Sequence, residues 1–141
     1  MRALFFKLYD GRSYSSWALS FGLLGADTNG NADVENDGLE NLMEYALGGN
    51  PTNDDAAAVA PYAVIMADAG GTNWFYHVHN QNTDTDLTFT VGATTNLVTT
   101  AADTNDVEWV GATAESGGFK TVINRTEATT DAKFIKLKVS K

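Results

Sequence analysis

The sequence predicts a mostly β chain: an antiparallel β-sandwich over residues 56–141, preceded by a short helix–loop–helix element over 13–55. Three observations carry that prediction. Six short stretches of the second part alternate apolar and polar residues, with no helical period between them. Two earlier stretches repeat apolar residues at three-and-four spacing, on either side of a run rich in Asp, Asn and Gly. The 13 glycines and the aromatic content of 11% suit a turn-rich β body better than a helical bundle.

Taken in order, residues 1–12 hold an apolar patch at 3–8 broken by Lys7. It is too short for a signal peptide and lacks a small-residue cleavage site, so an export signal is expected to be removed or to lie upstream. This segment is expected to be an N-terminal extension or the end of a preceding domain. Trp17, Ala18, Leu19 and Phe21 predict a first helix over 13–22, with Ser15 or Ser16 as N-cap. Leu39, Leu42, Met43, Ala46 and Leu47 predict a second over 39–47, which Gly48-Gly49 end and Pro51 keeps from continuing. Residues 50–61 are a turn and an Ala-rich linker. Strands are expected at 62–67, 74–79, 87–92, 107–111, 119–124 and 134–139, separated by turns such as Ala69-Gly70-Gly71 and Ser116-Gly117-Gly118. Their threonines fit a pleated surface, because β-branched side chains pack well there.

The charge distribution excludes several functions. Acids outnumber bases 18 to 9, and the stretch 13–119 contains no Lys or Arg at all. Such a chain repels phosphate backbones, so nucleic acid is not an expected partner. The same field opposes sulfated or uronic-acid glycans and leaves neutral polysaccharide as the compatible glycan. No apolar run approaches the roughly 20 residues that cross a bilayer, so membrane insertion is not expected. The absence of cysteine rules out disulfides and Cys-based zinc sites.

The most specific motif runs from Asp33 to Glu44. Asp33, Glu35 and Asp37 place carboxylates at loop positions one, three and five, and Gly38 occupies position six, where the chain must turn sharply. Leu39 offers a backbone carbonyl at seven, Asn41 a side chain or bridged water at nine, and Glu44 two oxygens at twelve. Calcium takes six to eight oxygen ligands at roughly 2.3–2.6 Å, which such a loop can converge on one point. Glu35 departs from the pattern, since Asp or Asn is usual at position three. Upstream, Asp27, Asn29 and Asn31 continue the alternation and are candidate ligands for the same or a second ion. The alternative is a solvated acidic loop that caps the second helix, because acids at a helix start are favourable without metal.

In the β part, Trp74, Tyr76 and Val78 share one strand face, the expected core face, and Phe75, His77 and His79 share the other. His77 and His79 have the spacing of a metal pair, but no third ligand is identifiable, and two partly exposed histidines on a sheet face are the expected reading. Trp74 and Trp109 are each core residues or sugar-stacking platforms. Together Trp74, His77, His79 and Trp109 are the candidate ligand-binding residues. Nothing has the spacing of a nucleophile elbow, a phosphate-cradling loop or a zinc-protease helix, so the chain is not expected to be an enzyme.

Trp17, Gly25-Ala26-Asp27, Asp33 to Gly38 and above all Asn41-Leu42-Met43-Glu44-Tyr45-Ala46-Leu47-Gly48-Gly49-Asn50-Pro51 carry a family resemblance. The chain resembles a carboxy-terminal module of large secreted polysaccharide-degrading enzymes of marine bacteria, and its acidic loop is similar to those of dockerins and thrombospondin type-3 repeats. The likeness continues through Leu87-Thr88-Phe89-Thr90-Val91 and Phe134-Ile135-Lys136-Leu137-Lys138-Val139. It implies a secreted, non-catalytic, calcium-stabilised carbohydrate-binding module with a parent catalytic domain upstream. Two other functions stay open: a module that anchors to a surface protein, and an extracellular subunit that self-assembles through an N-terminal strand at residues 3–8.

Overall fold

The computed structural model describes residues 13–98, 102–129 and 132–141. The N-terminal extension, with its strand expected at 3–8, lies outside the described residues. The described residues are mostly β, with six strands in two antiparallel sheets and a few short helices. One sheet has the order β1-β2-β5-β4, built from Tyr62–Ala67, Asn73–Asn82, Phe119–Glu127 and Glu108–Ala112. The other pairs β3, Thr88–Thr94, with β6, Phe134–Ser140. Each strand lies where the period-two pattern predicts one, and β2 and β5 extend further than their apolar alternation suggested. Among the described residues no helix is long and apolar enough to cross a membrane.

Helix α1 spans Tyr14–Ser20. Its N-cap is Ser13, whose hydroxyl accepts from the Ser16 N–H at 3.2 Å, and not Ser15 or Ser16 as expected. Either of those would leave Tyr14 outside the helix, whereas Tyr14 and Trp17 together face Tyr45 of α2, at ring separations of 5.4 Å each. Helix α2, Asn41–Leu47, stops at Gly48, which adopts the left-handed conformation (φ 91°) and returns its N–H to the Glu44 carbonyl. The passage expected to be only a linker contains a one-turn helix, α3, at Ala56–Val59. Its start is held by Asp37, a residue far back in sequence, so local propensity could not reveal it.

The apolar core joins both parts of the chain. Tyr45, Ala46 and Leu87 are buried, with Trp17, Leu42, Phe89 and Val139 packed around them. Two side chains of β2 dock α2: Asn80 donates to the Leu47 carbonyl and Asn82 to that of Tyr45, both at 3.0 Å. The Tyr45 hydroxyl donates to Asp84. The two asparagine bonds satisfy carbonyls at a helix end that has no partners of its own.

The faces of β2 differ from expectation. His77 and His79 are buried, the latter at 2% exposure, whereas Trp74 and Tyr76 are half-buried. The His79 ring stacks on Phe89 of the other sheet at 5.9 Å, so this is the inward face. On the opposite face, the Arg125 guanidinium lies 3.8 Å above the Trp74 ring and pairs with Glu108 at 2.9 Å. The Arg125 and Glu108 side chains are 27% and 57% exposed, so that face is the outward one. Val78 alone of the expected core set is buried.

Candidate metal centre

The loop between α1 and α2 brings together most of the carboxylates that its spacing singled out. Asp33, Glu35 and Asp37 each place a carboxylate oxygen within 4.8 Å of the others. A second triplet, Asp37, Glu44 and Asp55, meets the same limit, and Asp37 belongs to both. The loop takes this shape because its own N–H groups bind its acids. Asp33 accepts from the amides of Asp37 and Gly38, at 3.1 and 3.0 Å. Gly38 turns with φ 96°, a conformation that glycine adopts without strain, and Asn36 turns with φ 59°. One Asp37 oxygen accepts from the Leu39 amide, and the other from those of Asp55 and Ala56 at 2.9 and 2.8 Å.

Glu44 is the telling residue. It is completely buried, and neither carboxylate oxygen has a hydrogen-bond partner. Both oxygens of Glu35 and Oδ1 of Asp55 are buried and unpartnered as well. Unpaired buried carboxylate oxygens are costly, and several together repel one another. The effect shows in acidity: burial first, then the facing carboxyl of Glu35, then the charges of Asp37 and Asp55 push the Glu44 carboxyl up to about 8. Asp37 moves the other way, because the Leu39 amide, and with it those of Ala56 and Asp55, favour its charged form.

Gly49 completes the enclosure. A Cβ there would stand 3.2 Å from both Glu44 Oε1 and Asp55 Oδ1, so a larger residue would crowd the acids that the chain after α2 covers. The donor set consists of hard oxygens grouped in two triplets that share Asp37, the type of ligand calcium takes. Asp33, Glu35, Asp37, Glu44 and Asp55 would hold it.

The remaining residues singled out in the loop are placed differently. Asn41 is buried, and its amide nitrogen donates to the carbonyls of Asp27 (2.7 Å) and Asn29 (3.0 Å), so it ties the upstream arm of the loop to α2. The side chains of Asp27, Asn29 and Asn31 are exposed, and Asp27 joins neither triplet. Leu39 sits beside Asp37, to which its N–H is bound. Asp55 went unnoticed in the sequence because it lies eleven residues past the end of the twelve-residue pattern. The one available signal was the doubled acid Asp54-Asp55 ahead of a short alanine run, a helix-start signature.

Of the four residues proposed for ligand binding, Trp109 and His79 line one cleft between the two sheets. His77 is on the same face and 5.3 Å from His79, but buried. Trp74 is on the opposite face, with its indole N–H bound to Asp68. Burial first, then the neighbouring His79, lowers the His77 imidazole to about 4, so it is neutral at physiological pH. No family model, curated protein or solved structure matches this chain, so its relationships rest on the geometry of the acidic loop and of the two sheets.

Proposed function

We propose that this chain is a non-catalytic module of a secreted glycan-active protein, in which calcium holds the helical part together and the β part binds neutral polysaccharide. The observation that carries the calcium reading is Glu44, fully buried with both carboxylate oxygens unpaired among Glu35, Asp37 and Asp55. An acidic loop that merely capped a helix would keep its carboxylates in water, where they cost nothing. In this reading the two sheets are halves of a sandwich, with His79 on Phe89 between them, and the Asn80 and Asn82 bonds to α2 transmit the ordering of the loop to the sheet. Ion binding is then coupled to folding. Thermal unfolding in calcium and in EDTA, at matched ionic strength, tests it. Calcium is expected to raise the midpoint by several degrees, and an unchanged midpoint refutes it.

One observation favours a second reading, self-assembly by strand addition. Strand β1 is apolar and uncharged, all six of its residues are exposed, and among the described residues only β2 pairs with it. Uncharged apolar edges are templates for a further strand. Sedimentation over a concentration series decides between the readings: a chain that stays monomeric removes this one, and association abolished by Val64→Lys supports it.

A further inference from the structure

The cleft at Trp109 is where the glycan reading acquires a location, and the inference below rests on that reading. Cross-strand register sets Trp109 opposite Asn124, and Asn124 opposite His77, in one row on the inward face of the four-stranded sheet. The next rows on that face pair Val122 with His79 and Lys120 with Gln81. Phe89 of the other sheet closes the far side. The space between is about 490 Å³, within the range of small-ligand sites.

Three features distinguish this cleft from an ordinary gap between sheets. Trp109 is 68% exposed although it belongs to the inward face, so it stands at the mouth and does not fill the interior. The register of β4 shifts between Trp109 and Gly111, an irregularity of the kind that re-aims a side chain. The lining is polar on one side, where His79, Gln81, Lys120 and Asn124 lie along it. An exposed indole beside such side chains suits a ligand that offers an apolar face together with hydrogen-bonding groups.

We propose that the cleft binds a neutral glycan, with one sugar ring stacked by its C–H face on Trp109 and its hydroxyls turned toward Asn124, Gln81, Lys120 and His79. A purely apolar ligand would cover Gln81 and Lys120 without offering them partners. A polyanionic glycan would find one lysine in the cleft against a chain of net charge −9. The ring–indole contact supplies area and orientation, and the hydroxyls supply selectivity.

The experiment is affinity electrophoresis of the calcium-loaded chain through gels containing neutral polysaccharides (xylan, laminarin, agarose) or the polyuronate alginate, with wild type and the variants Trp109→Ala and Trp74→Phe. Trp109 is exposed, so its removal should leave the melting temperature in place. The expected result is retardation of wild type by at least one neutral polymer, weakened about tenfold or more by Trp109→Ala and unchanged by Trp74→Phe. Retardation that survives Trp109→Ala overturns the cleft while the module remains a glycan binder. No retardation by any of the polymers overturns both. Preference for alginate overturns the neutral class.

Discussion

Replacing Glu44 by Gln removes one buried charge and keeps the side-chain volume. Without a divalent ion, the Glu44 carboxyl ionises near pH 8 in the folded chain and near 4.5 when free. At pH 7 the folded chain must therefore hold it protonated while the unfolded chain has it ionised, a difference of about 3 kcal/mol against folding. The sign follows from the raised pKa: ion-free stability falls as pH climbs from 4.5 through 8. Gln carries no such cost, and its amide can donate to the unpaired oxygens of Glu35 or Asp55. Ion-free Glu44→Gln is thus expected to melt about 10 °C above ion-free wild type, given the response of a chain this size. Calcium should reverse the order. At a free concentration a hundred times Kd, wild type gains about 2.7 kcal/mol. The variant, short of a carboxylate that can bind through two oxygens, gains far less. Circular dichroism melts at pH 7, in EDTA and in calcium chloride at equal ionic strength, measure all four midpoints. Two outcomes refute the reasoning: a wild type indifferent to calcium, or a Glu44→Gln chain that responds as fully as wild type.

Other consequences follow from the same geometry. Asp55→Asn should weaken calcium affinity at least about tenfold by calorimetric titration, because ligand charge sets affinity, and unchanged affinity would remove Asp55 from the ion's shell. The lowered imidazole of His77 implies that its contribution to stability is complete above pH 6.5 and is lost as pH falls toward 4. The loss is about 3 kcal/mol. In the ion-free Glu44→Gln background, which lacks the opposing titration of Glu44, urea midpoints should drop between pH 7 and pH 4.5, and drop less when His77→Gln is added. Asn82→Ala removes the donor to the Tyr45 carbonyl and the acceptor of the Asp84 amide, at a cost of about 1–3 kcal/mol in chemical denaturation. A wild-type midpoint in that variant would show that Asn82 does not help hold α2.

Much of the fold was legible because it depends on local periodicity. Strands appear at all six predicted places, and α2 ends at the glycine predicted to end it. The acidic loop was legible for a similar reason, since its carboxylates alternate along a few residues and Gly38 marks the turn. What escaped depends on contacts distant in sequence. Helix α3 and Asp55 exist as they do because Asp37 reaches across from the loop.

The inward face of β2 was the clearest misjudgement of the pattern. By hydrophobicity, Trp74, Tyr76 and Val78 outrank Phe75, His77 and His79, yet the histidines are inside. Period two divides a strand into two faces without saying which one the rest of the molecule will cover. Arg125 and Glu108 claim one side, Phe89 the other, and none of the three is a sequence neighbour of β2. By itself the sequence determined the β-rich character, the places of the strands and the acidic loop, all set by short-range alternation, turn chemistry and charge spacing. Only the tertiary structure decided which face is interior, which fifth carboxylate joins the loop and that Trp109 and His79 line one cleft. Each of these depends on which distant segments exclude water from one another.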